Sequence, residues 1–293
     1  MKFITDFFFH FIVALALNGI GSFLAWKREN LRVDGALVAF IVGMTLFLIT
    51  PIAWIILLVF FASSSLLSKL KKETSQTKSK AQEMFEKGGR RDAGQVVANS
   101  LAGILFLLLF LPQGSEFDLV SASVVAYVGT IAAANADTWA TEIGTIASSA
   151  RWVLNPRRTV PPGTSGGVSL LGTLASLMGS LTMALLFLVC LTIHTELGDD
   201  SLPSIGVTLA ILCIITTSGF VGSFVDSVLG ATIQAFYFCP SCNIGTEKRV
   251  HKKCGGTVTI LKRGHAFVGN DLVNLLAAAL AGLLAFVSFS LVS

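Results

Sequence analysis

The stretch NADTWATEIGT at residues 135–145 places two carboxylates, Asp137 and Glu142, at the end of a long apolar run. A carboxylate inside a bilayer costs about 3 kcal/mol or more on insertion scales, so it indicates a functional site by default. On a straight helix these two residues lie about 140° apart around the axis, and they do not easily share one ion. Either the helix unwinds near Asn135, or the two carboxylates serve different ions or partners.

Further polar residues occur at the ends of other apolar segments, and a helical map brings them to the same edge of the membrane. They are Asp92, Gln95 and Asn99, the stripe Gly222, Asp226, Gly230 and Gln234, and Asn270, Asp271 and Asn274 in GNDLVN. Several like charges are unfavourable together without a cation, and oxygen-rich ligands suit Mg²⁺. We therefore predict a catalytic cluster of Asp92, Asp137, Glu142 and Asp226, in which Asp137, Glu142 and Asp226 bind magnesium. The competing interpretation is a set of separate structural contacts, and the number of ions stays open.

Complementary charge occurs in RRTVPPGTSGG, residues 157–167. The two prolines delay helix entry, and the glycines allow backbone N–H groups to approach an anion. We expect Thr164 or Ser165 to cap the next helix, whose N-terminus favours a phosphate. The predicted cofactor-binding residues are Arg90, Arg91, Arg158, Gly163, Thr164, Ser165, Gly166, Gly167, Asn270 and Asn274. The competing interpretation places the arginines among lipid headgroups.

A cysteine motif follows near the end of the chain. Cys239, Cys242, His251 and Cys254 have the spacing C-x₂-C-x₈-H-x₂-C in a polar loop. Two ligand pairs at this spacing fit a tetrahedral Zn²⁺ ion. All four positions are taken, so we predict a structural zinc site with no place for a catalytic water. The competing interpretation is a reduced loop without metal.

The segments that must position these groups are apolar helices. The chain has 293 residues, of which 53% are hydrophobic and 13% charged, with a mean hydropathy of +0.77. This composition excludes an ordinary soluble domain and predicts an all-α, polytopic membrane protein with about eight transmembrane helices. Pro51 separates the second span from the third, and Gly219 and Gly222 are candidate breaks in the seventh. The predicted spans are 4–25, 35–50, 52–68, 92–111, 119–136, 164–193, 204–236 and 266–292.

The distribution of basic residues predicts the orientation. Loops on one side contain 20 of the 21 Lys and Arg residues, and positive-inside logic puts these loops in the cytoplasm and both termini outside. These loops are 26–34, 69–91, 137–163 and 237–265. We expect residues 1–236 to hold seven helices and a polar cluster at the cytoplasmic edge, 237–265 to form a zinc-knuckle-like loop, and 266–293 to form the final helix of the same domain.

The net charge of +4 comes from these loops. It favours lipid headgroups or phosphates as partners and not nucleic acid, for which no motif is present. No transit peptide is evident, so we expect the plasma membrane of a prokaryote or an internal membrane of a cyanobacterium.

Five motifs occur in a familiar order: GRRDAGQVVANS, NADTWATEIG, PPGTSGGVSLLGTLAS, GSFVDSVLGATIQ and GNDLVN. Together they resemble the integral-membrane family that contains plant phytyl phosphate kinase and mammalian transmembrane protein nineteen. DTWATEIG followed by GTSGG is more distantly similar to dolichol kinases. The resemblance implies phosphorylation of a membrane isoprenyl monophosphate by CTP or another nucleoside triphosphate. It also implies that Asp137, Glu142 and Asp226 act through the metal.

Other functions are compatible with part of the pattern. A transporter also uses polar, glycine-broken helices, but its sites should lie near the midplane, and the outer halves of these spans are nearly free of charge. A CTP-dependent lipid-alcohol kinase or cytidylyltransferase is a second alternative. GTSGG lacks the lysine of a P-loop, so we predict no P-loop nucleotide site.

Overall fold

The computed structural model describes residues 2–74, 90–110, 118–147, 149–198, 202–251 and 254–292. Eight helices occur within these ranges: α1 (Lys2–Lys27), α2 (Val33–Ile49), α3 (Pro51–Thr74), α4 (Ala93–Phe110), α5 (Ala122–Gly144), α6 (Leu170–Gly198), α7 (Ile205–Thr232) and α8 (Asn270–Ser290). They correspond in order to the eight predicted spans. Most of the predicted loop 69–91 and the last residue of the predicted span 92–111 lie outside the described residues.

Five of the described helices, namely α1, α3, α6, α7 and α8, are long and apolar enough to cross a membrane. Helices α2 and α4 are apolar but shorter. Because α5 meets neither description, the count of eight membrane spans stays a prediction.

Helix α5 lies at the centre of the bundle, in contact with α3, α4, α6, α7 and α8. Residues 123–136 of this helix are all buried. A helix that protein surrounds on all sides can carry polar residues, since lipid does not contact them. This position explains how α5 accommodates the buried Asn135, whose amide donates to Gly179 O at 2.8 Å.

The sequence predicted a break between two helices at Pro51 and offered Gly219 and Gly222 as candidate breaks within another helix, and only the first break is present. Helix α2 ends at Ile49 and α3 begins at Pro51, with Thr50 extended between them (φ −161°, ψ 130°), as the residue before a proline requires. Helix α7 is continuous through Gly219 and Gly222. These glycines lie against Ala132 and Ala133 of α5 instead of breaking the helix.

The all-α prediction is wrong, because two of the loops fold into small sheets. Strands β1 (Ala150–Trp152), β2 (Asn155–Val160) and β3 (Gly167–Val168) form an antiparallel sheet in the order β2-β1-β3. Strands β4 (Phe236–Cys239), β5 (Ile244–Thr246) and β8 (Ile260–Arg263) form a second, in the order β5-β4-β8. Strands β6 (Val250–His251) and β7 (Thr257–Val258) pair separately.

The predicted start of the sixth span at residue 164 is also wrong. Gly167 and Val168 pair with Trp152 and Arg151 in the first sheet, which delays α6 until Leu170. Neither Thr164 nor Ser165 caps this helix. Instead, Ser169 Oγ accepts a hydrogen bond from Gly172 N at 3.1 Å, within the first turn.

Candidate active site

A cavity of about 610 Å³ opens at the end of the bundle where α5 and α7 finish and α6 and α8 begin. This volume lies in the range of roughly 300–1,000 Å³ that is typical of small-molecule sites. Eleven of the predicted site residues line it: Arg91, Asp137, Glu142, Gly163, Thr164, Ser165, Gly166, Gly167, Asp226, Asn270 and Asn274. We call this end of the bundle the cavity end.

Close helix packing brings Asp137 and Asp226 into the cavity. At Gly222 of α7, an added Cβ would lie 2.6 Å from Ala133 Cβ of α5, so the two backbones approach closely there. Asp137 and Asp226 each follow that contact by four residues, which is one helical turn. Both line the cavity, and with its amide oriented to satisfy its neighbours, Asn274 donates to Asp226 Oδ2 at 2.8 Å.

Glu142 lies on a different part of the wall. Ser68 Oγ of α3 donates to Glu142 Oε1 at 2.5 Å. Helix α5 continues unbroken through Asn135 to Gly144. The unwinding that would have let Asp137 and Glu142 meet does not occur.

Arg91 forms the cationic side of the cavity. Its backbone is fixed by hydrogen bonds to Asn30 O (3.0 Å) and from Arg32 N (2.8 Å), and its guanidinium donates to Ser65 Oγ at 3.3 Å. Burial lowers the pKa of Arg91 to about 10, and the nearby Glu142 carboxylate acts in the opposite direction. Arg91 is therefore positively charged at neutral pH.

The glycine-rich turn packs against α7. Gly163 and Gly166 both have φ of +84°, a conformation that favours glycine. A Cβ at Gly166 would also overlap Ala231, and Ser165 Oγ donates to Gly230 O at 2.8 Å. The glycine at 166 therefore has a packing role in addition to the predicted approach to an anion.

Two functional candidates were missed by sequence reasoning, Glu247 and Arg263. Glu247 is only 9% exposed and lines the cavity. Arg263 Nη2 donates to Gly230 O at 3.0 Å and lies 3.4 Å from Ser165 O, which fixes the turn to α7. Both residues come from the cysteine loop, and nothing in their spacing connects them with the aspartates.

Buried polar atoms without a partner also face this region. Gln234 is 3% exposed and Ser176 is 4% exposed, and both line the cavity. Gln234 Nε2 and Ser176 Oγ have no hydrogen-bond partner among the described residues. An unsatisfied buried polar atom costs about 1–3 kcal/mol, which a polar ligand in the cavity would offset.

Three predicted residues do not line the cavity. Asp92 caps α4 in a reciprocal arrangement, since Gln95 N donates to Asp92 Oδ1 (3.2 Å) and Asp92 N donates to Gln95 Oε1 (3.4 Å). Arg90 pairs with Glu29, and the guanidinium of Arg158 lies 4.7 Å from the ring centre of Trp152. These contacts give each of the three side chains a structural role outside the cavity.

The cysteine motif forms a compact cluster that suits a metal ion. The ligand atoms of Cys239, Cys242, His251 and Cys254 all lie within 4.8 Å of one another. Desolvation raises the pKa of the Cys239 thiol. Hydrogen bonds with Cys242, His251 and Ser241 lower it by a larger amount, so that the resulting pKa is about 6. At Cys239 this favours the thiolate that metal binding requires, whereas a hydrogen bond with Cys242 raises the pKa of the Cys254 thiol. The predicted grouping is confirmed, and zinc as its ion stays a prediction.

Comparisons with known proteins agree with a membrane location. A sequence profile of the family described as Integral membrane protein DUF92 matches residues 16–282. Protein PGR of Arabidopsis thaliana is 30% identical over 285 residues, covering 92% of this chain and 96% of the plant protein. Protein VTE6, chloroplastic, of the same plant is 24% identical over 260 residues, covering 87% of this chain and 64% of that protein.

An archaeal protein extends the similarity. An uncharacterized membrane protein of Methanocaldococcus jannaschii is 29% identical over 223 residues, covering 76% of this chain and 82% of the archaeal protein. No solved structure matches the chain. The profile covers most of the chain and confirms the resemblance drawn from the five motifs. The chain belongs to the DUF92 family of integral membrane proteins.

Proposed function

We propose that this protein is a prenyl phosphate kinase that transfers a phosphoryl group from CTP or another nucleoside triphosphate to a phytyl-like monophosphate in the membrane. The observation that carries the proposal is the single cavity that combines Asp137, Asp226 and Arg91 with a glycine-rich turn, at one end of a bundle of apolar helices. The resemblance of five motifs to the family of plant phytyl phosphate kinase supports it.

The reaction requires little covalent chemistry from the protein. An oxygen of the acceptor phosphate attacks the terminal phosphorus of the nucleotide and forms a new P–O bond. The bond from that phosphorus to the bridging oxygen breaks, and the nucleoside diphosphate leaves with the electron pair. A lipid monophosphate is already a nucleophile, so no strong general base is needed. The protein must therefore mainly hold two anions together and offset their charge.

The donor set at Asp137 and Asp226 fits a magnesium ion. Two carboxylates that line one cavity repel each other without a cation, and the Asn274 amide donates a hydrogen bond to Asp226. Mg²⁺ is usually held by one or two carboxylates and completes its coordination with water and substrate phosphates. When bound, it would neutralise charge on the transferring group. Asp92 has no place in this proposal, because it caps α4.

Arg91, the 163–167 turn and the Gln234 amide are the groups that we assign to the phosphates. Arg91 offers a fixed cation, and Gln234 offers a buried N–H without a partner among the described residues. Glu142 acts through Arg91 as a positioning residue, since its carboxylate lies near the Arg91 guanidinium and accepts a hydrogen bond from Ser68. Arg90 and Arg158 are not assigned to the phosphates.

Transport is the rival function, and the closed centre of the bundle argues against it. Beyond the cavity, Gly219 lies against Ala132, and Ser180 Oγ donates to Thr216 O at 2.7 Å. Tyr127 and Ile131 fill the interior of the bundle there and are fully buried. A transported substrate would have to displace this packing to pass from the cavity to the opposite end.

The test is a panel of nucleoside triphosphates and prenyl monophosphates offered to the purified protein, with lipid products identified by mass spectrometry. A prenyl diphosphate that forms only with both substrates supports the proposal. Movement of a prenyl phosphate across proteoliposomes, without any diphosphate, would favour transport instead. A CDP-linked lipid would identify a cytidylyltransferase.

A further inference from the structure

We propose that the isoprenyl chain reaches the cavity sideways from the bilayer, through a gap between α6 and α7. We call this gap the portal and define it by Thr173 and Ser176 of α6 and by Phe220 and Phe224 of α7, all of which line the cavity. The inference rests on the proposed function and deepens it, because it assigns a place to the lipid tail.

The deep limit of the portal is a tight contact between the two helices. Ser180 Oγ of α6 donates to Ile215 O (3.2 Å) and Thr216 O (2.7 Å) of α7, and a Cβ at Gly219 would overlap Ser180 Oγ. One turn nearer the cavity end, Ser176 and Ser223 both line the cavity. The helices are therefore joined at Ser180 and leave a space between them from Ser176 onward.

Phe224 marks the mouth of the portal. It lines the cavity, and 51% of its surface is exposed. We therefore place Phe224 where the cavity opens. Phe220, one turn away on α7, also lines the cavity, as do Thr173 and Ser176 of α6, which are small. The two phenyl rings give the portal an apolar side, and the small residues leave room for a chain to pass.

The portal opens at the depth of the carboxylates. Along α5, Gly179 of α6 lies against Ala136, and Gly172 lies against Ala140 and Gly144. Ser176, midway between those glycines, is therefore level with residues 138–140, next to Asp137. A phosphate at the carboxylates can thus belong to a lipid whose chain stays in the bilayer. Drawing the chain into water would be unfavourable, because it would expose apolar surface.

Two further features of the cavity walls agree with entry of the lipid between α6 and α7. Ser176 Oγ is buried in the portal without a hydrogen-bond partner among the described residues, as a donor for an arriving phosphate would be. Elsewhere on the cavity wall, the Arg91 guanidinium lies 5.1 Å from the ring centre of Phe61 and 5.9 Å from that of Phe60. That wall presents a charged group to the cavity and is unsuited to an isoprenyl chain.

The test narrows the portal without touching the groups assigned to phosphate or metal. Thr173→Trp places a large ring in the gap, and Thr192→Trp is the matched control. Thr192 is an exposed residue of the same helix, and each threonine donates to the carbonyl four residues before it. The substrates are geranylgeranyl phosphate, which has a long chain, and dimethylallyl phosphate, whose short chain need not pass the portal.

We expect Thr173→Trp to raise KM for geranylgeranyl phosphate about tenfold or more, which corresponds to about 1.4 kcal/mol, and to change KM for dimethylallyl phosphate about twofold at most. Thr192→Trp should leave both values unchanged. If the wild-type protein phosphorylates geranylgeranyl phosphate and Thr173→Trp does so equally well, the proposed portal is contradicted but the proposed kinase activity is not. Equal loss on both substrates also overturns the portal. A wild type that makes no diphosphate from either substrate overturns the kinase itself.

A binding measurement tests the portal without turnover. Phe224 is replaced by p-benzoylphenylalanine, and Leu209, an exposed residue of α7 far from the cavity, is replaced in a control protein. Irradiation in vesicles that contain geranylgeranyl phosphate should crosslink the lipid at position 224 several times more than at position 209. Equal crosslinking at the two positions would overturn the assignment.

Discussion

Asp137 of α5 and Asp226 of α7 each lie one helical turn beyond the contact between Ala133 and Gly222, so two helices that run side by side carry two carboxylates into one cavity. The absence of a side chain at Gly222 is what lets the helices approach. A Cβ there would lie 2.6 Å from Ala133 Cβ and 2.8 Å from Ala281 Cβ. The spacing of the carboxylates therefore depends on a small residue deep in the bundle.

Gly222→Val is expected to separate α5 from α7 and to lower both stability and activity. Overpacking of this kind costs about 1–3 kcal/mol. Thermal unfolding in detergent and steady-state kinetics measure the two effects. Gly206→Ala on the same helix is the control, because the nearest atom to its added Cβ is at 3.8 Å. Unchanged kinetics and unfolding temperature in Gly222→Val would contradict the proposed role of this contact.

Substitution of Asp137 or Asp226 is expected to affect activity much more than substitution of Asp92. Asp137→Asn and Asp226→Asn should each lower kcat about a hundredfold or more without unfolding the protein, because each removes charge that would hold the metal. Asp92→Asn should be close to wild type, since asparagine caps a helix as well as aspartate does. Titration of activity with Mg²⁺ after chelation measures the effect. A near-normal rate in Asp226→Asn at saturating Mg²⁺ would remove Asp226 from the site.

Two adjacent arginines provide a second matched pair. Arg91→Ala should lower kcat/KM about tenfold to a hundredfold, which corresponds to the loss of a charged hydrogen bond worth about 1.5–3 kcal/mol. Arg90→Ala should have little effect, because Arg90 pairs with Glu29 and does not line the cavity. Kinetics with nucleotide and lipid phosphate varied separately would show which anion Arg91 holds. Equal effects of the two substitutions would mean that general surface charge, and not the cavity, is responsible.

The cysteine cluster predicts one bound zinc ion per protein chain. Elemental analysis of the purified protein should find it, and Cys239→Ser combined with Cys242→Ser should lose it along with part of the thermal stability. Cys190 and Cys213 lie in α6 and α7 apart from the cluster, so Cys190→Ser and Cys213→Ser are the controls and should retain the ion. Metal-free protein that unfolds at the same temperature as the metal-bound protein would contradict the prediction.

The helices, and the edge of the membrane at which their polar residues gather, could be predicted from the sequence, because apolar length and helical spacing are local properties. The helix break at Pro51 and the positions of Asp137 and Asp226 at one edge were predicted from these properties. The strands could not be predicted from local charge, because short strands such as Gly167–Val168 are defined by their pairing partners. That pairing also moved the start of α6 from residue 164 to Leu170.

The composition of the cavity was predictable only in part. Asp92 and Gln95 have the spacing of a reciprocal helix cap, a local signal that the prediction of Asp92 as a catalytic group did not use. Through the fold of the cysteine loop, Glu247 lines the cavity and Arg263 donates to Gly230 O of α7, and no local pattern links either residue to α7. The position of Arg158 over Trp152 likewise depends on the first sheet.

The most direct test of the kinase is the fate of the γ-phosphate. Purified protein in vesicles receives phytyl phosphate, Mg²⁺ and a nucleoside triphosphate labelled in the γ-phosphate, beginning with CTP, and the lipid fraction is separated and counted. We predict that label enters phytyl diphosphate, that it requires all three components, and that Asp226→Asn abolishes it while Asp92→Asn does not. Lipid that stays unlabelled with every nucleotide and prenyl phosphate offered, in protein that is folded and metal-loaded, would contradict the proposed function.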